Sequence, residues 1–511
     1  MIVQDQSETI AFLERPQTHG SSGPVGREET HISEVFLAGN RAYKLKRAVK
    51  LPYADFSTPE LRLHFCRREV EFNRLTAPDL YLGVRKITRQ DDGRLGFDGG
   101  DDLVDAVVEM VRFREQDMFD RIARDGKLTA AMMRGLADQI AAFHRQAEPV
   151  TSRSGADLVG DVLSINEAGF ATSSVFPQAD IDRLCGRFRQ ALDRHAERLD
   201  RRGRNGHVCR GHGDLHLRNI CLFNGRPVLF DCIEFNDTIA TVDVLYDVAF
   251  LLMDLWHRGM PALANLLANR YLDRTDNEDG FCLLPFFMAV RAAVRAHVTA
   301  TQAEEATRKD DRVVARAMQY FDLADHLLTD NAPRLVAIGG LSGSGKSTIA
   351  ELLAPGIGAP PGARILESDR IRKALHGKAP EERLPAKAYA AGMSDTVYAT
   401  IAKRAGALLA DGCPVVADAV YTESERRSAI ARVSAEADVP FIGLWLDTPK
   451  AVLRQRVAQR APSASDADAA VLEKQIKGFE PPQDWLKVEA SGPAETVAEG
   501  IRRRIDTHRS K

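Results

Sequence analysis

No two cysteines form a C-x-x-C pair, and the seven present (Cys66, Cys185, Cys209, Cys221, Cys232, Cys282, Cys413) are scattered and odd in number. That pattern argues against a disulfide framework or a structural zinc and reads as a reducing compartment. Charge of one sign is also missing: 69 Lys+Arg stand against 72 Asp+Glu, a formal net charge of −3. Neither a nucleic-acid coat nor a membrane-surface role is therefore expected. No uninterrupted apolar run approaches the roughly 20 residues of a membrane span. The opening MIVQDQSETIAFLERP is acidic where a secretory signal would be basic, and no internal repeat is visible. What is left is a cytoplasmic protein of ordinary composition, 44% hydrophobic and 28% charged. At 511 residues it is too long for one hydrophobic core.

Two kinds of pattern share the chain. HISEVFLAG and AYKLKRAV, separated around Asn40-Arg41, read as two strands of a hairpin. The stretch STPELRLHFCRREVEFNRLTAP follows with helical spacing, a Ser57 cap and a closing proline. DLVDAVVEMVRF reads as another strand, and helices dominate from about 116 to 328. After the linker TDNAP, the strand-like segments LVAIGG, ARILESD, PVVADAV and FIGLWLD alternate with helices, which describes a parallel sheet wound by helices. The expected domains are 1–331, with a β-rich lobe to about 115 and a helical lobe after it, and 332–511.

The stretch GHGDLHLRNI, 211–220, precedes ICLF-NG-RPVLFD. Asn-Gly between apolar runs predicts a type I′ hairpin, because both turn positions need positive φ. Folding it sets Phe223 opposite Arg226 and Ile220 opposite Leu229, and brings Asn219 near Phe230 and Asp231. An amide and a carboxylate at the hairpin's open end, with Asp214 just upstream, suit Mg²⁺ and the phosphates of its nucleotide. The segment His212-Gly213-Asp214-Leu215-His216-Leu217-Arg218-Asn219 resembles the H-G-D-x-H-x-x-N loop of aminoglycoside phosphotransferases and choline kinases, within the protein-kinase-like fold. The resemblance implies an α+β bilobal domain in which Asp214 accepts the acceptor's hydroxyl proton, while Asn219 and Asp231 hold metal. By the same resemblance Lys44, with Lys46 as the alternative, contacts the ATP phosphates; Glu69, or else Glu71, fixes that lysine. It further implies that the backbone near Glu109 and Val111 reads adenine and that Asp247 supports the loop, with His212 bracing it. A G-x-G-x-x-G lid is missing; GSSGPVG, 20–26, is glycine-rich but differently spaced.

GLSGSGKS, 340–347, fits G-x-x-x-x-G-K-[ST] between a predicted strand and helix. Gly340, Ser342, Gly343, Ser344, Gly345, Lys346, Ser347 and Thr348 would cradle phosphates through backbone N–H groups and the helix N-terminus. Lys346 would reach the β- and γ-phosphates, and Ser347 would ligate Mg²⁺. The region resembles small P-loop kinases of the gluconate kinase, polynucleotide kinase and zeta-toxin type, which implies an α/β domain. On that resemblance Asp369 is the base or hydroxyl-orienting residue, with Arg372 near the acceptor, and Asp418 is a second metal-site or acceptor-site carboxylate. Arg456 and Arg460, four apart on one helix face, would close over the phosphates. The basic run 194–210 lacks interleaved aromatics and reads as a solvated helix end.

The expected function is a bifunctional ATP- and Mg²⁺-dependent phosphotransferase acting on hydroxyls of small molecules, in consecutive steps on one metabolite. The alternatives are an ATP-binding regulatory protein and a kinase of protein or nucleic-acid acceptors. Nucleic acid and membrane are not expected partners.

Overall fold

A computed structural model describes residues 3–51, 53–305, 310–459, 465–477 and 479–507. They group by contact into two compact units, Met1–Ala168 with Arg189–Asp254, and Gly169–Phe188 with Leu255–Lys511. The helices from 255 to 328, which the sequence pattern places in the first domain, thus group with the P-loop segment.

The first unit holds an antiparallel sheet of β1 (Gly26–Glu29), β2 (Ser33–Ala38), β3 (Arg41–Lys46), β4 (Tyr81–Arg89), β5 (Leu95–Phe97) and β6 (Asp102–Val111), in the order β1-β2-β3-β6-β4-β5. Ala38 faces Arg41, so the β2–β3 turn is Gly39-Asn40, with Gly39 at φ +56°. Helix α1 (Pro59–Asn73) covers one face. Its N-cap is Thr58 rather than Ser57: the Thr58 hydroxyl accepts from Leu61 N–H, while Ser57 turns back to Asp55. Proline at the first helical position suits that choice, since its missing N–H needs no partner there. Between α1 and the sheet lie Ala42, Cys66, Val70, Leu80, Tyr81, Val108 and Met110. Phe12, Phe36, Tyr43, Leu45, Ile87 and Val107 fill the opposite face.

Further along, β7 (Ile220–Phe223) and β8 (Arg226–Leu229) form the Asn-Gly hairpin in the expected register. Asn224 and Gly225 have φ of +50° and +76°. The basic run is structural in part. Arg202 is buried and doubly paired with Asp243 at 2.7 and 2.9 Å, and the Arg210 guanidinium lies 3.6 Å over the Phe72 ring.

In the second unit residues 278–305 form a helix long and apolar enough, by length and composition, to cross a membrane, although Arg291 and Arg295 interrupt its apolar run. However, 72% of its most apolar window is buried inside the fold, as in a core helix. The parallel sheet has β9 (Leu335–Gly339) at its centre, β10 (Arg364–Glu367), β11 (Val415–Asp418), β12 (Phe441–Asp447) and β13 (Leu486–Glu489), in the order β10-β11-β9-β12-β13. β9, β10 and β11 are buried along their whole length, as a parallel sheet covered on both faces requires, while β12 and the edge strand β13 are only partly buried. All five strands end on the side where the glycine-rich loop leaves β9, the side on which such sheets bind ligands.

Candidate active sites

Lys44 on β3 reaches across to two acids. Its Nζ donates to Glu69 Oε1 at 2.8 Å and pairs with Asp231 just after the hairpin. Lys46, two residues on, takes the other oxygen of Glu69 at 2.7 Å and pairs with Glu234. Glu71 is exposed, so Glu69 alone of the two acids meets the lysines. Burial would raise the Glu69 pKa, but the two ammonium groups outweigh it and hold the carboxyl at about 2. Glu234 was not singled out from sequence, although an acid three residues beyond Asp231 is the signal that was there. Asn73, one helical turn after Glu69 on the same face, was missed too. Its Nδ2 donates to Glu69 O at 2.8 Å and its Oδ1 accepts Cys232 N–H at 2.9 Å, tying α1 to the Asp231 loop.

Because the folded pKa of Glu69 lies below its ordinary 4.5, its ionic contribution is present above pH 4.5 and lost as pH falls toward 2. The shift corresponds to roughly 3 kcal/mol at 1.4 kcal/mol per unit. Glu69→Gln should therefore destabilise the chain by about 3 kcal/mol at pH 7. Denaturant unfolding should show the gap from the parent narrowing as pH drops below 4.5.

The catalytic-loop segment is built on Asp247, in helix α2 (Val244–His257). Its Oδ2 accepts His212 N–H at 2.7 Å, its Oδ1 accepts Gly213 N–H at 2.9 Å, and His144 Nε2 lies 3.2 Å from Oδ2. His212 Nε2 reaches Phe230 O at 3.0 Å, bracing loop to hairpin. Asn219 Nδ2 donates to the Oδ2 and backbone oxygen of Asp214 at 2.8 and 2.9 Å, leaving the Asn219 Oδ1 available to a cation. Phe230 N–H donates to Asn219 O at 3.0 Å, setting Asp231 beside that amide. Asp214 keeps 40% of its side chain exposed, as a residue that receives an acceptor must. A Cβ on Gly211 would lie 2.7 Å from Asp247 Oδ2. Gly211→Ala should thus push Asp247 off its two N–H donors, costing about 2 kcal/mol and about tenfold in phosphate transfer; thermal unfolding and turnover check both.

One expectation is corrected here. Glu109 lies inside β6 opposite Tyr43 and Gly83, and Val111 N–H already donates to Leu80 O at 2.9 Å. The adenine-reading backbone therefore does not lie at 109–111. Half-buried Val35, Leu37, Val111, Phe113, Phe223 and Phe230 gather around Ala42 and Met110, with the Phe113 and Phe230 rings 5.2 Å apart. The glycine-rich 20–26 stretch precedes β1 instead of joining β1 to β2. That turn is Thr30-His31-Ile32, closed by Thr30 N–H and Oγ1 on Ser33 O.

In the P-loop, Gly340, Gly343 and Gly345 have φ of +154°, +87° and +91°. Lys346 Nζ donates to Leu341 O at 3.2 Å, and Ser347 Oγ donates to Glu367 Oε1 at 3.2 Å. Helix α3 (Lys346–Leu353) begins there, with Ser347 and Thr348 in its first turn. Strand β10 ends in Glu367, not in an aspartate, and Asp369 lies in the first turn of the next helix, Ser368–Leu375. Glu367 is side by side with Asp418 across the ladder. Burial, with Asp418 and Asp369 adding to it against Arg370, pushes the Glu367 carboxyl up to about 7. Asp418 Oδ2 and Ser344 Oγ are buried without a hydrogen-bond partner. Oxygen donors left unsatisfied beside Ser347 fit a hard cation such as Mg²⁺. Arg372 donates to Ala388 O at 2.9 Å and lies over the Tyr389 ring. Arg456 holds Ala490 O and Ser491 O at 3.0 and 3.2 Å, close to Gly345, and Ser342 N–H donates to Gln475 Oε1 at 2.9 Å. Arg460 lies outside the described residues.

Residues 101–281 match the phosphotransferase enzyme family, and residues 335–482 match an AAA domain model that covers the P-loop. The chain joins a segment similar to the phosphotransferase enzyme family to one similar to an AAA domain. It is an ATP-dependent phosphotransferase. Lys44 and Glu69 lie before the first match, so their assignment rests on the geometry above. Uncharacterized proteins of Mycobacterium tuberculosis and Mycobacterium bovis are each 28% identical over 452 residues, covering 87% of this chain and 88% of theirs. Among solved structures, a choline/ethanolamine kinase family protein from Mesorhizobium loti is 16% identical, covers 63% of this chain and 94% of its own, and has a TM-score of 0.40. A gluconokinase from Sinorhizobium meliloti is 22% identical, covering 34% and 95%, with a TM-score of 0.25.

Proposed function

We propose that both segments of this phosphotransferase are active kinases, each transferring the γ-phosphate of ATP to a hydroxyl of a small cytoplasmic metabolite such as a sugar or amino-polyol. The two transfers act in sequence on one metabolite. The observation that carries this reading is the convergence of Lys44, Glu69 and Asp231 beside the Asn219–Asp214 pair.

At the first centre Asp214 accepts the proton of the acceptor hydroxyl, Lys44 steadies the phosphates and Glu69 fixes Lys44. The half-buried apolar cluster around Phe113 and Phe230 takes the adenine, and the backbone from Arg112 onward reads its edge. Asn219 and Asp231 would hold Mg²⁺. At the second centre the loop amides and Lys346 hold the phosphates, Asp369 orients the acceptor, and Arg372 and Arg456 meet negative charge on acceptor and nucleotide. Ser347 and Asp418 would hold its Mg²⁺. The metal in each site supplies a positive charge that offsets the charge spread over the transferring phosphoryl group.

Phosphate transfer from labelled ATP by the full chain, screened over sugars, amino-polyols, nucleosides and oligonucleotides, tests the reading. A product lost with Asp214→Ala and a different one lost with Lys346→Ala supports it. Transfer confined to protein or oligonucleotide acceptors, or no transfer at all, overturns it. Tethering two such centres raises the local concentration of a shared intermediate.

A further inference from the structure

Strand β10 is the edge of the parallel sheet, and its outer side is covered by a helix, α4 (Pro261–Arg274), from the phosphotransferase-family segment. An open edge leaves unpaired backbone groups that need covering. Asn265, Asn269 and Asp273 are four apart, so they share one helix face. Asn265 Nδ2 donates to Pro361 O and Ala363 O, both at 3.0 Å, and Asn269 Oδ1 accepts Ile365 N–H at 2.8 Å. Two amide side chains thus take the place of a neighbouring strand. Asp273 goes further: its Oδ1 pairs with buried Arg364 at 2.5 Å and its Oδ2 with Arg370 at 3.1 Å. Arg370 in turn pairs with Glu351 at 3.2 Å and, through Nε, with Glu367 Oε2 at 2.6 Å. The remaining oxygen, Oε1, is the one that accepts the Ser347 hydroxyl.

We propose that Asp273 is a positioning residue for the P-loop centre, supplied from outside the P-loop segment: by holding the far side of Arg370, it keeps Glu367 Oε1 on Ser347. The inference rests on the reading of Ser347 as a magnesium-holding residue. Its physical basis is competition for the guanidinium fork. Held by Asp273 and Glu351, Arg370 touches one Glu367 oxygen. Asp273 fixes the guanidinium at Nη1 while Glu351 occupies Nη2. Released at Nη1, the plane is free to turn its Nη2–Nε edge from Glu351 onto both Glu367 oxygens in the bidentate geometry that arginine and carboxylate favour, which withdraws Oε1 from the hydroxyl. The P-loop centre is therefore complete only with this helix in place, and a chain cut at residue 332 would lose Asp273 and Glu278, both partners of Arg364.

The test is calorimetric ADP binding with and without Mg²⁺, on the full chain carrying Lys44→Ala to weaken the first site. The quantity read is the factor by which Mg²⁺ tightens ADP. Asp273→Asn is expected to cut that factor about tenfold, to leave metal-free ADP affinity within about twofold, and Asp273→Glu to restore at least half of the gain. Glu351→Gln, which loosens Nη2 of the same guanidinium and keeps the Arg364–Asp273 pair, should give the same loss should Asp273→Asn fail to fold. A magnesium gain that survives both substitutions overturns the proposal alone. So does a parallel loss of metal-free affinity, magnesium gain and melting temperature, which marks a purely structural contact. A Lys44→Ala chain whose magnesium gain is untouched by Ser347→Ala overturns the proposal together with the reading of Ser347.

Discussion

Asp214→Asn should lower phosphate transfer at the first centre by about 10²–10⁴-fold while nucleotide affinity there stays within about threefold. The asparagine is nearly isosteric and keeps an oxygen for the Asn219 amide, so the tether at 2.8 Å survives. What is lost is the group that accepts the hydroxyl proton. Because Asp214 is well exposed, folding stability should move by no more than about 0.5 kcal/mol. Steady-state transfer in a Lys346→Ala chain isolates this centre. A drop in kcat with unchanged nucleotide binding marks an interaction made in the transition state. Equal loss of affinity and turnover would instead make Asp214 a binding residue.

The second large effect is expected from Lys346→Ala, which should weaken Mg²⁺–nucleotide binding at the P-loop by about 10²–10³-fold, equivalent to about 3–4 kcal/mol of charge-assisted contacts to phosphate. Lys346 Nζ donates to Leu341 O of its own loop at 3.2 Å, a neutral local contact whose loss is small beside that of the phosphate contacts. A melting temperature within a few degrees of the parent's, with the second site lost, is the expected pair of results. Lys346→Arg should not rescue it, since a planar fork does not replace a compact ammonium in a loop whose Ser342, Gly343 and Ser344 are buried.

Local chemistry made much of this legible in the sequence. Asn224-Gly225 requires a turn that few other pairs tolerate, and the P-loop glycines sit where positive φ is needed. Glu69 was legible from helical spacing after the lysine strand, whereas Asn73, one turn on along the same face, was not singled out. The less legible residues act through partners far away in the chain. Asn265, Asn269 and Asp273 look like an ordinary polar helix face until an edge strand lies against it. Arg202 sits in a run that reads as solvated, yet Asp243 takes it into the interior. Glu367 was passed over in favour of Asp369 because two residues of register decide which acid ends the strand. The adenine-reading backbone was misplaced for a related reason: nothing in VVEMVRF tells how many of its residues the neighbouring strands consume.

The central claim is that one chain holds two separate sites for a magnesium-bound triphosphate. Calorimetric titration of the full chain with a non-hydrolysable ATP analogue and Mg²⁺ tests it most directly. Two equivalents should bind per chain, falling to one in Lys346→Ala and to none resolved when Lys44→Ala is added. Saturation of the parent at one equivalent, or two equivalents persisting in Lys346→Ala, would contradict it.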